Sequence, residues 1–329
     1  MKCIHHTDDD GLCAAAIVRF YLKDKMEEPS DFIAYSHGME LKLPENLTEG
    51  ETWYIVDLAL DPTIYTTIVT LLMSGCKVVH IDHHKSGIDY YENLSDAAKE
   101  TIKEVVRFYD VNGSGCLLTF LYANMDDEER KHPMDVDMDL SPIRHKFMME
   151  YNGTRQIGDI PFVIRYINDW DIQEGVLKEA VPFHYGFANM YEDKNPCADI
   201  WKDLFTKERW TINPIVQKGD AFVTIYEKEN EKSLKRGFET EICGVKCFAT
   251  NSTSGDCRMF NSIKDKYPMF CKFSYDGSIE KWTYFFVSGK DNEVDVSEIA
   301  ATFGGGGHAA AAGAQLPYNI FGIITADAT

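Results

Sequence analysis

Val78-Val79-His80-Ile81-Asp82-His83-His84 is the stretch from which the rest of the chain can be read. Its first half, rich in β-branched residues, has the character of a buried strand. Its second half is an acid and two imidazoles, and polar groups of that kind are costly in a core unless something pairs them. The strand must therefore end where Asp82, His83 and His84 find partners. A divalent cation is the natural partner for neutral imidazole beside carboxylate.

Working outward, other strand-like segments end in similar groups. Residues 1–6 read as a short strand running into the acidic turn His6-Thr7-Asp8-Asp9-Asp10-Gly11. A helix follows from Leu12 to Lys23, with Cys13, Ala14, Ala15 and Ala16 small enough to seat it close on a sheet. Asp31–Ser36 and Trp53–Val56 read as further strands, the latter ending in Asp57. Asp61-Pro62 reads as an N-cap followed by proline at the first helical position, and that helix stops before Gly75. Such alternation is the signature of a doubly wound parallel sheet, whose strands expose their carboxyl ends along one edge. His6/Asp8/Asp10, Asp57 and Asp82/His83/His84 would then converge. Asp169, after the apolar segment Pro161–Ile167, supplies a fourth side, and Asp171 reads as a helix-end cap.

Acids gathered this way repel one another in a half-buried cleft. Two divalent cations would cancel Asp8, Asp10, Asp57 and Asp169 charge for charge, with the ions about 3.5–4 Å apart across a shared carboxylate. Mixed imidazole and carboxylate donors suit manganese, iron or zinc, and a carboxylate majority favours manganese or magnesium, with cobalt an alternative. A water between such ions is acidified toward neutral pH and suited to attack on phosphorus.

Composition narrows the partners. The chain has 329 residues and a formal net charge of −20, a field that repels long duplex nucleic acid. A small phosphate compound or short oligonucleotide remains compatible if cations supply positive charge locally. No apolar run approaches the ~20 residues of a membrane span, and MKCIHHTDDD holds no signal-like apolar stretch, so a cytoplasmic protein is expected. The nine cysteines are scattered without a CxxC pair and read as reduced thiols. The acidic, proline-interrupted segment from Asn124 to Asp139 reads as a solvated loop, since it lacks EF-hand spacing.

Toward the C-terminus, 95–108 reads as helical, a helix opens after Gly113-Ser114-Gly115, and 197–237 is mostly helical. Ile242–Ala249, Met269–Tyr275 and Trp282–Val287 alternate as strands. Val296–Phe303 reads as a helix before Gly304-Gly305-Gly306-Gly307-His308 and an alanine run. The expected organisation is a metal-binding catalytic domain over 1–190, a helical linker over 191–237, and a smaller α/β substrate-binding domain over 238–329 that closes over the substrate.

HHTDDDGLCAAAI, YIVDLAL, HIDHH, INDWD and GGGGHAAAAGA occur in that order. Together they resemble the DHH phosphoesterases with the DHH-associated C-terminal domain, a group including oligoribonucleases, pAp phosphatases and hydrolases of linear or cyclic dinucleotides. The resemblance implies that one metal takes His6, Asp8 and Asp57, and the second Asp10, Asp57, His83 and Asp169. It further implies that Asp82 orients an imidazole and that His84 lies beside the scissile phosphate as hydrogen-bond or proton donor. Gly304, Gly305, Gly306 and Gly307 would offer backbone N–H groups to a phosphate, with His308 and Ser288 also at the substrate. Some relatives place their first histidine four residues before the first motif acid, where this chain has Ile4; His5 and His6 are both open as the ligand, with His6 favoured. An arginine common after the Ser288 position is here Gly289-Lys290. The expected activity is manganese-dependent hydrolysis of short oligonucleotides to nucleoside monophosphates. Cleavage of pAp or a linear or cyclic dinucleotide is the alternative, a non-catalytic nucleotide sensor the alternative of another class, and a homodimer is plausible from relatives.

Overall fold

The computed structural model describes all residues except 23–27, 37–38, 126–129, 131–159, 174, 254–256, 290–292 and 322–329. Most of the acidic segment from Asn124 to Asp139 lies outside the described residues, as do Lys23, Gly255 and Lys290. The chain divides into two compact units, Met1–Val223 and Thr224–Thr329.

The first unit holds five parallel strands in the order β2-β1-β3-β4-β5: β1 (Lys2–His5), β2 (Phe32–Ala34), β3 (Thr52–Val56), β4 (Lys77–Asp82) and β5 (Val106–Tyr109). The order reverses between β1 and β3, so the carboxyl ends of β1, β3 and β4 share the edge where a doubly wound sheet places its site. Val78 on one face and Val79 and Ile81 on the other are apolar because both faces of the sheet are covered. Val56, Val79, Ile81 and Phe108 enter one core with α1 (Asp9–Tyr21) and α5 (Gly115–Ala123), while Trp53, Ile55 and Val78 enter the other with Ile64, Ile68 and Leu71 of α2 (Pro62–Met73). The small residues Cys13 to Ala16 are buried in the first core. Asp61 caps α2, accepting from the Ile64 amide at 2.7 Å, with Pro62 at the first helical position.

Two further helices, α3 (Lys85–Glu92) and α4 (Asp96–Thr101), precede β5. The sequence expectation of one helix over 95–108 is corrected there: helix ends at Thr101, and Val106–Tyr109 pairs with β4. The β-branched and aromatic content of Val106-Arg107-Phe108-Tyr109 suits a strand flanked by two cores. After the undescribed segment come α6 (Phe162–Asp171), α7 (Ala180–Met190), α8 (Asp199–Thr206) and α9 (Glu208–Leu234).

The second unit carries a six-stranded sheet in the order β10-β11-β9-β8-β7-β6, antiparallel except for the β7–β8 pair. Its strands are β6 (Phe238–Ile242), β7 (Val245–Asn251), β8 (Met269–Asp276), β9 (Lys281–Ser288), β10 (Gly306–Gly307) and β11 (Ala311–Leu316), with α10 (Val296–Thr302) packed in the same core. Ile242–Ala249 is therefore not one strand. Cys243 and Gly244, at φ 51° and 79°, turn the chain between Ile242 and Val245, the positive-φ pair that a tight hairpin requires. The end of the alanine run belongs to a strand, since β11 pairs with β9 along Ala311–Leu316.

Candidate metal centre

The site is assembled at the carboxyl edge of the parallel sheet. Chain leaving β1 presents His6 and then Asp8, which caps α1 by accepting from the Gly11 amide at 2.9 Å. Gly11 is required by close approach, since a Cβ there would lie 2.5 Å from the His6 carbonyl oxygen. His6 Nδ1 lies 2.9 Å from Asp8 Oδ2 and 3.7 Å from Asp57 Oδ2. His5, by contrast, is buried, donates from Nδ1 to the His6 carbonyl at 2.7 Å and packs edge-on to Phe32. Of the two imidazoles, His6 is the one brought to the acids.

Asp57 directly follows β3 at φ 56°, a left-handed conformation that aspartate tolerates better than most residues, held by its amide donating to the Ile81 carbonyl at 2.9 Å. Its Oδ1 accepts from His83 Nε2 at 3.1 Å. The same His83 nitrogen is 3.8 Å from Asp10 Oδ2 and 3.5 Å from Asp171 Oδ2. Asp10 is fixed from another direction, its two oxygens accepting from the Gly115 and Cys116 amides at 2.6 and 2.9 Å, at the N-terminus of α5. Beyond β4, Asp82 Oδ1 accepts from His84 Nδ1 at 2.7 Å and its Oδ2 accepts from the His84 amide at 3.3 Å.

Asp169 is the sequence expectation that the structure corrects. Its Oδ1 accepts from the Val176 and Leu177 amides at 2.8 and 3.2 Å, so it fastens the chain after α6. Asp171 stands at the cluster instead. Two residues apart on a helix, the pair cannot face the same way. The spacing Ile164, Ile167, Asp171 was the available signal, because it continues one apolar stripe of α6 into the site.

The ligand-type atoms gather in two sets, His6/Asp8/Asp57 and Asp10/His83/Asp171, each within 4.8 Å, with Asp57 reaching from the first set to His83 in the second. Asp57, Asp82 and His84 satisfy the same distance, but Asp82 is already occupied by His84. Asp10 and Asp57 are each only 2% exposed, which makes uncompensated charge there expensive. Asp57 Oδ2 and Asp171 Oδ2 are buried without a hydrogen-bond partner, as expected of atoms shaped to meet a cation. The donor set therefore fits a divalent metal site.

Electrostatics agree. Burial, followed by the charges of Asp10 and Asp8, pushes the Asp57 carboxyl well above the ordinary range, and the same causes raise Asp171. Burial would also raise Asp8 and Asp82, but His6 and the Gly11 amide hold Asp8 low, and His84 holds Asp82 low. Burial would lower His84 and His6, yet the carboxylates of Asp82 and Asp8 leave both raised. Stability follows from these directions. A carboxyl raised in the folded state contributes stability fully present below the unfolded value, about 3.9, and lost as pH rises through the folded value. In chelator, the melting temperature should therefore fall as pH climbs from about 4 toward neutrality. Saturating manganese should remove most of that slope, a comparison made by thermal melts with and without metal. The depressed Asp8 and Asp82 act in a separate window, below about 3.9.

Gly115 is a positioning residue the sequence did not single out. A Cβ at that position would stand 2.6 Å from Asp57 Cβ and 2.9 Å from its carboxylate carbon. Gly115→Ala should cost about 1–3 kcal/mol, read by melting in chelator, and should weaken manganese binding measured by calorimetry. His80, inside the quoted stretch, is not part of the cluster: its Nε2 donates to the Leu58 carbonyl at 2.7 Å and its Nδ1 accepts from the Tyr109 hydroxyl at 2.5 Å.

In the second unit the glycine run is partly committed to its own fold. The Gly304 and Gly305 amides donate to the Ala301 and Ala300 carbonyls at 3.0 and 2.9 Å, ending α10, so these two are not the phosphate donors the sequence suggests. Gly306 and Gly307 form β10, and His308 begins the turn into β11, its amide donating to the Ala311 carbonyl at 2.8 Å. Ser288 ends β9 with a buried hydroxyl that lacks a hydrogen-bond partner among the described residues. No helix among the described residues is long and apolar enough to cross a membrane.

No family model matches the sequence, and no curated protein matches it. Among solved structures the chain is similar to the DHH domain of a member of the s1p family of ribosomal proteins, at 14% identity and TM-score 0.49, over 94% of this chain and 81% of that one. It is also similar to a pGpG-specific phosphodiesterase from Vibrio cholerae, at 11% identity and TM-score 0.40, over 96% of this chain and 92% of that one. An exopolyphosphatase-related protein from Bacteroides fragilis is similar at 12% identity and TM-score 0.39, over 97% of this chain and 88% of that one. These are likenesses of fold; the fit of the site to a divalent metal stands on the chain's own side chains.

Proposed function

We propose that the protein is a two-metal phosphohydrolase of the DHH type that cleaves phosphodiester bonds in short oligonucleotides and releases nucleoside monophosphates. One observation carries this reading: Asp57 lies between two ligand sets whose acids are tolerable together only with positive charge among them. His6, Asp8 and Asp57 would hold one divalent cation, and Asp10, Asp57, His83 and Asp171 the other, with manganese favoured by the donor mixture. A cation pair there supplies Lewis acidity toward a phosphoryl group and acidifies water. The chain's own residues do the rest. Asp82 holds the Nδ1 proton of His84, which fixes the ring and favours its charged form. His84 can then pass a proton from Nε2 to the leaving oxygen. The Gly115 and Cys116 amides, donating to its two oxygens, hold the Asp10 carboxylate in place. Burial pushes the Cys13 and Cys116 thiols upward, which disfavours their thiolate forms.

The acidic chain, at −20, favours short substrates over long polymers. The second unit is proposed to bind substrate through Ser288, Gly306, Gly307 and His308. Turnover of a panel under manganese tests the whole: oligomers of two to about ten nucleotides, pAp, and linear and cyclic dinucleotides, followed by product chromatography. Progressive release of monophosphates from the oligomers is expected. Turnover of pAp alone would replace the oligonucleotide reading with a nucleotide phosphatase, and turnover of dinucleotides alone with a dinucleotide phosphodiesterase. Tight nucleotide binding without hydrolysis would point to a sensor.

A further inference from the structure

Asp9 stands between two acids of the metal centre yet turns away from them. Its carboxylate, 13% exposed, accepts from Lys194 Nζ at 2.5 Å and lies 3.5 Å from His184 Nδ1. Both partners are far away in sequence. Lys194 is itself fixed: its ammonium lies 4.9 Å over the Phe187 ring, and its carbonyl accepts from Trp201 Nε1 at 3.0 Å. His184 stacks on Trp170 with ring centroids 3.6 Å apart and planes 13° from parallel. Trp170 immediately precedes Asp171. Asp8, Asp9, Asp10, Trp170, Asp171 and His184 thus line one recess. An acid at the start of a helix needs no such partners to be favourable. The contacts instead tie the first turn of α1 to α7 and the chain just after it and, through the stack on Trp170, to the end of α6.

We propose that Asp9, clamped by Lys194 and His184, is a positioning residue that sets Asp8 and Asp10 against Asp171 so that the two ligand sets close on their cations. This rests on the metal-centre reading above. Charge and geometry make opposite demands, and that separates the proposal from a plain surface ion pair. Removing Lys194 leaves the neighbourhood more negative, so Coulomb attraction alone would tighten manganese binding. Loss of the clamp would weaken it, by the roughly 10–100-fold typical when a partner that orients metal ligands is removed.

The test is calorimetric titration of manganese into the full chain after removal of metal by chelator, for the wild type, Lys194→Met, Lys194→Arg and His184→Phe. Lys194→Met should weaken binding about 10–100-fold, while its melting temperature in chelator moves by no more than about 4 °C. Lys194→Arg, which keeps charge and donors, should bind within about threefold of wild type. His184→Phe keeps the stack on Trp170 but deletes the nitrogen facing Asp9, and it should weaken binding in the same direction; it decides the question should Lys194→Met fail to fold. Unchanged or tighter manganese binding in Lys194→Met and His184→Phe overturns the clamp and leaves the metal centre standing. Absence of manganese binding by the wild type overturns both.

Discussion

Asp57→Asn should abolish hydrolysis and cost both metal sites, while making the metal-free protein more stable. The two effects have one cause. Asp57 is 2% exposed, surrounded by Asp8, Asp10, Asp82 and Asp171, and raised well above an ordinary carboxyl by burial and by their charge. At neutral pH its ionisation works against folding unless cations are present. Asparagine keeps the shape, still tolerates φ 56°, and removes that charge. The melting temperature in chelator should therefore rise. Turnover should fall by more than about 10³-fold, the scale of losing a stabiliser worth several kcal/mol. Metal content should fall from two ions per chain toward none. Alanine at the same place would add backbone strain, because residues other than glycine, asparagine and aspartate resist positive φ, so it is the less clean test. Normal metal content in Asp57→Asn would end the bridging assignment.

The second large effect separates Asp171 from Asp169, the acid that the sequence reading placed at the metal. Asp171→Asn should lower turnover by about 10²–10³-fold and weaken one manganese site, since it removes a carboxylate from the Asp10/His83/Asp171 set. Asp169→Asn should leave manganese affinity as it is. Its side-chain oxygen can still accept from the Val176 and Leu177 amides, so the cost is in stability, ~1 kcal/mol. Calorimetric manganese titration and denaturant melts on both variants check the pair. The reverse pattern, with Asp169→Asn losing metal, would restore the assignment made from sequence.

The doubly wound first unit could be read from sequence because each of its signals is local. The strand Val78–Ile81 is apolar and β-branched, and Asp61-Pro62 opens α2 as its residue types dictate. Parallel topology then forces the ends of β1, β3 and β4 to one edge, which is why His6, Asp8, Asp10, Asp57 and His83 could be grouped before any coordinates. What escaped depends on tertiary facts. Val106–Tyr109 has no turn signal of its own and becomes a strand only because β4 offers an open edge. Asp169 and Asp171 both follow the same apolar segment, and the stripe Ile164, Ile167, Asp171 distinguishes them only once the segment is taken as a helix with that face packed inward. Gly304 and Gly305 look like a phosphate loop until their amides are found closing a helix. Asp9 reads as part of a capped turn, because nothing nearby in sequence announces Lys194 or His184.

Two cations are expected to sit among these acids. Anomalous scattering from crystals of the full chain grown with manganese tests this most directly. Two manganese peaks sharing Asp57 are expected, one also bound by His6 and Asp8, the other by Asp10, His83 and Asp171. A well-ordered site with no anomalous peak, or peaks only at other residues, would contradict this.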